Sequence, residues 1–187
     1  DIAVTPSGAA VAVWFDPRGG ASKKNIYSAR LAAGGSTWSA NVRVTSNQTA
    51  YKFDPKVVID STGTAAATWT DRRTGNDDVY FASLASGSSS WSANVKVSDD
   101  PGTATQEYPD IGVDAAGNLT AIWRDARTSP ANVRASRRLA GSSTWGPSVV
   151  VGGAIAESTS LSVRSDGLAY VAWQEGAFAG PKTISGS

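Results

Sequence analysis

The residues best suited to chemistry in this sequence are three aspartate–arginine pairs, each set two residues after a tryptophan in the pattern Trp-x-Asp-x-Arg. A guanidinium fork matches a carboxylate group, so each arginine is able to bind an acidic ligand or its own aspartate. Residues i and i+2 of an extended segment face the same way, which favours the internal pair. The pairs are Asp16 with Arg18, Asp71 with Arg73, and Asp125 with Arg127.

Two interpretations of these pairs remain open at this stage. In the first, each pair is a structural corner that ties down the following loop. In the second, each pair forms a ligand pocket with a nearby tryptophan, Tyr27 or Tyr80, and the repeated pockets bind a glycan with avidity. We therefore name the three pairs as candidate ligand-binding residues.

The composition excludes several classes of function. The 187 residues contain no histidine and no cysteine, so Ser-His-Asp and Cys-His nucleophilic systems are unavailable within the chain. The 17 basic and 16 acidic residues nearly balance, which argues against nucleic acid as a partner. No apolar run approaches the ~18 residues of a membrane-spanning helix. We predict no catalytic residue, no nucleic-acid partner and no membrane insertion.

One loop carries several oxygen ligands of the kind that Ca²⁺ prefers, namely Asp71, Asn76, Asp77 and Asp78. The corresponding loops read Lys23-Lys24-Asn25 and Ser129-Pro130-Ala131, so the cluster does not repeat. We predict no metal site and no cofactor, with Ca²⁺ as the alternative that this loop leaves open.

The pairs belong to a repeat that extends along the whole chain. A glycine lies six residues before each tryptophan of a first series, and the tryptophans are 55, 54 and 50 residues apart. A second tryptophan series runs in parallel, and we expect most of these side chains to lock neighbouring repeats together. The first series is Trp14, Trp69, Trp123 and Trp173, after Gly8, Gly63, Gly117 and Gly167; the second is Trp38, Trp91 and Trp145.

Short apolar runs bounded by turn residues predict four strands per repeat. Four antiparallel strands in about 50 residues are typical of a β-propeller blade. We predict an all-β fold with one repeat array over residues 1–187, whose blades span about 1–50, 51–104, 105–152 and, in part, 153–187. The predicted strands are 2–4, 9–15, 25–31 and 38–44; 55–60, 64–70, 78–84 and 91–97; 110–114, 118–124, 132–139 and 145–151; and 160–164 and 168–174.

Three full blades and part of a fourth do not form a complete ring, because closed propellers have about 4–8 blades. The chain is a fragment of a longer propeller, or it self-associates to close a ring, or it closes alone with an incomplete blade. Tyr51 and Tyr108 precede first strands beside Pro55 and Pro109. We expect these tyrosines to line the rim near the axis, the usual binding face of a propeller, and we add them to the candidate ligand-binding residues.

Two motifs resemble sialidase-like propellers of secreted or cell-surface proteins. The first is Gly35-Ser36-Thr37-Trp38, with its copies before Trp91 and Trp145, which resembles the end of the Asp-box (S-x-D-x-G-x-T-W) of bacterial-neuraminidase repeats. The second is Trp-x-Asp-x-Arg followed by an Asp-Val-Tyr-x-Ala type strand. The box aspartate positions hold Ala33, Ser86 and Ala140, and the Arg-Ile-Pro motif of catalytic sialidases does not occur.

The resemblance implies a secreted or cell-surface location and a non-catalytic module that binds a glycan or an extracellular protein, or that serves as a scaffold. The alternative is a sialidase-like glycoside hydrolase, or a fragment of one whose catalytic residues lie in blades outside this sequence.

Overall fold

A computed structural model describes residues 1–20, 23–46, 49–153, 155–175 and 183–186, and its regular elements there are all β-strands in four sheets. In these residues no helix is long and apolar enough to cross a membrane. The first sheet contains β1 (Ile2–Val4), β2 (Ala10–Asp16), β3 (Asn25–Leu31) and β4 (Val42–Arg43), and the second β5 (Lys52–Ile59), β6 (Ala65–Asp71), β7 (Asp78–Leu84) and β8 (Val95–Lys96). The third contains β9 (Gln106–Val113), β10 (Leu119–Asp125), β11 (Asn132–Arg138) and β12 (Val149–Gly152), and the fourth β13 (Ile155–Val163), β14 (Ala169–Glu175) and β15 (Thr183–Gly186).

Each sheet is an antiparallel meander in which strands adjacent in sequence are hydrogen-bonded neighbours. The first strands of successive sheets pack beside one another, β1 on β5, β5 on β9 and β9 on β13. This arrangement places the first strands on the inside of the array. The hairpins between first and second strands turn at the predicted glycines, which have positive φ: 85° at Gly8 and Gly63, 81° at Gly117 and 87° at Gly167.

The hydrophobic core consists of layers between neighbouring sheets. The first tryptophan series faces the preceding sheet: Trp69 and Trp123 are fully buried, and Trp173 is 8% exposed. Trp91 and Trp145 of the second series also pack against the preceding sheet. The Trp91 indole donates to Ser28 Oγ at 2.9 Å, and Trp145 meets Phe81 edge-on with ring centroids 5.3 Å apart. The tryptophans therefore lock adjacent sheets together, as their repetition predicts.

The second strands begin one residue later than predicted in all four repeats, since the residue after each hairpin glycine still belongs to the turn. The first strands β5, β9 and β13 begin several residues earlier than predicted, because each of them continues through a bulge. In β5 and β9 the bulge contains the proline beside the predicted start of the strand. The structure also contains β15, which the sequence did not predict.

The predicted fourth strands were wrong at their starts. We predicted strands from Trp38, Trp91 and Trp145, but the strands begin four residues after each tryptophan. A side chain takes the place of a ladder bond there: Arg30 N donates to Ser39 Oγ and Ser83 N donates to Ser92 Oγ, both at 3.0 Å. The serine after each of these two tryptophans thus closes the turn locally, and the ladder resumes later.

Candidate functional site

The aspartates of the three pairs accept hydrogen bonds from their own repeat. Asp71 is fully buried; its Oδ2 accepts from the Trp69 indole at 3.0 Å and from the Arg73 guanidinium at 2.5 Å, and its Oδ1 accepts from the Arg73 backbone N–H at 3.0 Å. The same set recurs at Asp125 and at Asp16. Each corner therefore closes on itself through tryptophan, aspartate and arginine.

The arginines are also engaged on their other sides. The Arg18 guanidinium lies 4.0 Å from the Tyr27 ring centroid, and that of Arg73 lies 4.1 Å from the Tyr80 centroid, which are cation–π distances. In the third sheet Arg127 instead donates to Asp99 at 2.7 Å. The structure places each predicted pair together, at the end of the second strand of its own sheet.

The electrostatics of these corners stabilise the charged forms. Burial alone would raise the pKa of Asp125, but hydrogen bonds from Arg127 and Trp123 outweigh it and the pKa is lowered. Burial likewise opposes ionisation of Asp99, yet hydrogen bonds from Ser148 and Arg127 lower the pKa of Asp99 to about 2. Carboxylates held this firmly ionised suit an ion pair and do not suit proton transfer near neutral pH.

The corners also tie neighbouring sheets together. Asn94 Oδ1 accepts from the Ser46 backbone N–H at 2.7 Å and from Arg73 at 3.1 Å, and its Nδ2 donates to the Val44 carbonyl at 3.0 Å. At the next junction, the Ser148 N–H donates to Asp99 Oδ2 at 2.8 Å. These contacts support a structural role for the Asp–Arg pairs.

The acidic loop considered above as a Ca²⁺ site forms ion pairs with arginine and lysine side chains of the same chain. Arg72 pairs with Asp77 through bonds of 2.5 and 3.0 Å, and Lys96 Nζ lies 2.7 Å from Asp78. Asp71 pairs with Arg73, as described above. In the described part of the chain, no group of three or more histidine, cysteine, aspartate or glutamate side chains is arranged to hold a metal ion.

A different feature of the inner strands breaks the regularity of the repeat. Asp54 and Tyr108 occupy equivalent positions, 15 residues before Trp69 and Trp123, and both have positive φ, 51° and 53°. Each lies in the bulged part of its first strand, immediately before a proline. Tyrosine rarely adopts this conformation, and backbone strain of this kind clusters at functional sites.

These two residues line a groove of about 420 Å³ at the inner strands, which we call the axial groove. The size lies within the range of small-molecule sites, about 300–1,000 Å³. Ser158 occupies the equivalent position of the fourth repeat, 15 residues before Trp173. The groove therefore contains an aspartate, a tyrosine and a serine at equivalent positions of three repeats. The Tyr108 side chain is 38% exposed, and Thr159 Oγ1 donates to the Tyr108 carbonyl at 2.7 Å. The lining residues are Asp1, Asp54, Pro55, Lys56, Tyr108, Pro109, Ser158 and Thr159.

The carboxyl groups of the inner strands differ from those of the corners. Burial raises the pKa of Asp54, Glu107 and Asp110, and Asp77 and Asp54 reinforce the increase at Glu107. Glu107 is paired with Arg124 at 2.8 Å, and Asp110 accepts backbone N–H groups. Buried carboxyl groups with raised pKa values are characteristic of functional clefts.

The structure separates the two predicted rim tyrosines. Tyr108 lines the axial groove, whereas Tyr51 lies in an aromatic and cationic cluster. The Tyr51 ring centroid is 5.6 Å from that of Phe53, and Lys24 Nζ lies 4.7 Å from both the Tyr51 and the Phe15 centroids.

Sequence reasoning missed Asp54, Lys56 and Ser158 as groove residues. An aspartate such as Asp54 is by itself typical of a turn, because its side chain caps its own backbone there. The signal that identifies it is its alignment with Tyr108: both precede a proline at the same distance from the repeat tryptophan.

No protein-family model matches this sequence, and no curated protein shows significant sequence similarity to it. Solved structures resemble it in fold. An endo-arabinase from Bacteroides thetaiotaomicron superposes with a TM-score of 0.58 at 11% identity, over 96% of this chain and 69% of that one. The intramolecular trans-sialidases of leech and of Ruminococcus gnavus both give 0.52, at 13% and 11% identity, over 87% of this chain.

The chain spans 28% of the leech enzyme and 39% of the Ruminococcus enzyme. At these identities the likeness concerns the fold. The predicted fold class is confirmed: the chain is an all-β protein of four-stranded antiparallel blades with a sialidase-like β-propeller fold.

Proposed function

We propose that this chain is a non-catalytic β-propeller module that binds a glycan in the axial groove. The observation that carries the proposal is the loss of repeat symmetry there: equivalent positions hold Asp54, Tyr108 and Ser158, while the Asp–Arg corners stay nearly identical. A specific ligand requires different groups around it, whereas a structural element repeats.

The lining chemistry suits a sugar. A half-exposed aromatic ring offers an apolar face together with a polar hydroxyl, and Tyr108 supplies it at the groove wall. Asp54 and Ser158 provide polar atoms for sugar hydroxyls, and the two prolines add rigid apolar surface. The groove thus combines hydrogen-bonding groups with the apolar surface of one aromatic ring and two prolines, and a ligand site needs both.

The charge of the lining favours a neutral sugar. Among the side chains of the lining, the carboxylates of Asp1 and Asp54 outnumber Lys56, the single cationic side chain. A carboxylated sugar would have to approach two acidic groups, which costs free energy in a partly buried site. We therefore propose a neutral oligosaccharide as the ligand, and a secreted or cell-surface location in keeping with such a partner.

Isothermal titration calorimetry tests this proposal with two probes, an arabino-oligosaccharide and 3'-sialyllactose. We expect heat from the neutral probe, a strong loss of affinity in Tyr108→Ala and Asp54→Asn, and unchanged affinity in the control Leu139→Ala. Leu139 is 61% exposed and lies outside the groove. Absence of heat with neutral oligosaccharides, or binding that survives both groove substitutions, overturns the proposal.

A second candidate function is glycoside hydrolysis, and one observation favours it. Glycosidases use two carboxyl groups, one of which has a raised pKa and protonates the leaving group. Burial raises the pKa of Asp54 and of Glu107, and the charge of Asp54 raises the pKa of Glu107 further. The solved structures of similar fold include an arabinase and trans-sialidases.

Chromogenic arabinosides and sialosides separate the two functions. A binding module releases no chromophore, whereas a hydrolase does, and Asp54→Asn and Glu107→Gln then abolish release. Turnover by the wild-type chain that both substitutions remove would replace our first proposal by the second.

A further inference from the structure

The first sheet has an outer face that points away from the second sheet. The residues of this outer face match those on the face of the second sheet that packs against the first sheet. Both faces carry the same residue type at seven of nine aligned positions, in the same strand register. In the second sheet these nine side chains pack against the first sheet. The aligned pairs are Ile2 with Val57, Val4 with Ile59, Ala10 with Ala65, Ala12 with Ala67, Trp14 with Trp69, Tyr27 with Tyr80, Ala29 with Ala82, Leu31 with Leu84, and Trp38 with Trp91.

We call this surface the front face. Although its residues match a packed interface, several are exposed: Ile2 by 55%, Val4 by 58% and Trp38 by 40%. The matching Trp91 lies partly buried against the first sheet and donates its indole N–H to Ser28. A partly exposed apolar surface that reproduces a buried interface at seven of nine positions indicates a docking surface for another sheet.

The fourth sheet has an outer face at the other end of the array, which we call the back face. Val171 and Trp173 pack against the third sheet, so the alternating Tyr170 points the other way, where it is 50% exposed. Tyr170 aligns with Val11, three residues before the repeat tryptophan, and Val11 is the first-sheet residue that receives the second sheet. Leu168 is 49% exposed and lies two residues before Tyr170, so it faces the same side of the sheet.

We propose that the front face of one copy binds the back face of a second copy, so that two copies close one ring. A head-to-tail contact between unlike faces closes when the rotation permits and otherwise continues as a filament. Two copies of four sheets give eight, which is within the range of about 4–8 blades in closed propellers. The chain holds both halves of the contact.

The size of the contact supports a stable dimer. The four strands of the first sheet and the three strands of the fourth sheet each contain about 20 residues, which at about 3.3 Å along a strand and about 4.8 Å between strands gives a face of roughly 300 Å². Ring closure uses two contacts and covers four faces, roughly 1,200 Å², which reaches the lower end of the about 1,200–2,000 Å² that stable protein interfaces bury. A single contact covers about half of that area and is correspondingly weak.

Light scattering after size exclusion measures the mass of the wild-type chain and of variants. We expect twice the monomer mass of 19.2 kDa for the wild type. Ala12→Arg blocks the front face and Tyr170→Asp blocks the back face, so each variant alone is monomeric. Leu139→Asp changes an equally exposed apolar residue outside both faces and remains dimeric.

Mixing the two blocked variants distinguishes this geometry from other modes of association. The Ala12→Arg copy keeps its back face and the Tyr170→Asp copy keeps its front face, so the mixture forms a heterodimer through one contact. Val4→Asp serves as a second front-face variant, and circular dichroism verifies that each variant folds. A monomeric wild type or a Tyr170→Asp variant that stays dimeric overturns the proposal, and so does a mixture in which no heterodimer forms even at the highest protein concentration.

Discussion

Replacing Asp71 by alanine should strongly destabilise the fold, since this side chain satisfies three donors in a buried corner. Its removal leaves the Trp69 indole N–H and the Arg73 backbone N–H without their acceptor, and the Arg73 guanidinium loses its carboxylate partner and keeps the hydrogen bond to Asn94. The side chains of Asp71 and Arg73 are 0% and 14% exposed, so water has little access. Breaking a buried ion pair by removing one partner costs about 3–5 kcal/mol of unfolding free energy.

The first sheet provides a matched control within the same molecule. Asp16 makes the same three contacts with Trp14 and Arg18, but the two charged side chains are 17% and 47% exposed. Water replaces the lost carboxylate at that corner, so Asp16→Ala should cost much less than Asp71→Ala. Urea unfolding followed by far-ultraviolet circular dichroism measures both changes, and unchanged m values validate the comparison.

An asparagine at position 71 separates charge from hydrogen bonding. Asp71→Asn keeps one oxygen acceptor and removes the negative charge, so its free energy of unfolding should lie between those of the wild type and Asp71→Ala. Equal destabilisation by Asp16→Ala and Asp71→Ala would refute the reasoning, because burial is the difference between the two corners. A cost below about 1 kcal/mol for Asp71→Ala would refute it as well, since that is the scale of an exposed pair.

Three further predictions concern other parts of the chain. The pKa of Asp99 is about 2 in the folded protein, against an ordinary value of 3.8, so the ionised Asp99 stabilises the fold fully above about pH 4 and this contribution is lost as the pH falls through 2. The urea midpoint should therefore fall less steeply between pH 4 and 2 in Asp99→Asn than in the wild type. A Cβ at Gly152 would lie 2.6 Å from the Trp173 ring, so Gly152→Ala should cost about 1–3 kcal/mol in urea unfolding, whereas Gly153→Ala, with open space around it, should cost little. Because Tyr108 has positive φ, Tyr108→Gly should be more stable than Tyr108→Ala by about 1 kcal/mol in the same assay, and a reversed order would show that the backbone strain is absent.

The sequence predicted the parts of the fold that local patterns determine. The glycine and tryptophan spacing identified the hairpins and second strands to within one residue, since a positive-φ turn and a buried tryptophan each require one residue type. The Asp–Arg corner could also be predicted, because its partners are two residues apart. The fourth strands could not, since the serines after Trp38 and Trp91 compete with the ladder through their side chains.

The axial groove depends on contacts that no local pattern records. Asp54, Tyr108 and Ser158 are about 50 residues apart and meet because the first strands of three sheets pack side by side. The prolines that follow Asp54 and Tyr108 suggested strand starts, and the sequence contains no sign that bulges carry the strands further. A comparison of aligned positions across repeats, with attention to those that differ, would have found the groove.

The position of the axial groove has a thermodynamic consequence. Its lining comes from the first strands of the second, third and fourth sheets and from Asp1 beside the first, so a bound ligand touches groups that move apart when the sheets separate. Under the two proposals above, closing the ring fixes the spacing of these strands. Ligand binding and dimer formation are then linked, and by reciprocity a ligand that binds the closed ring more tightly must promote its assembly to the same extent.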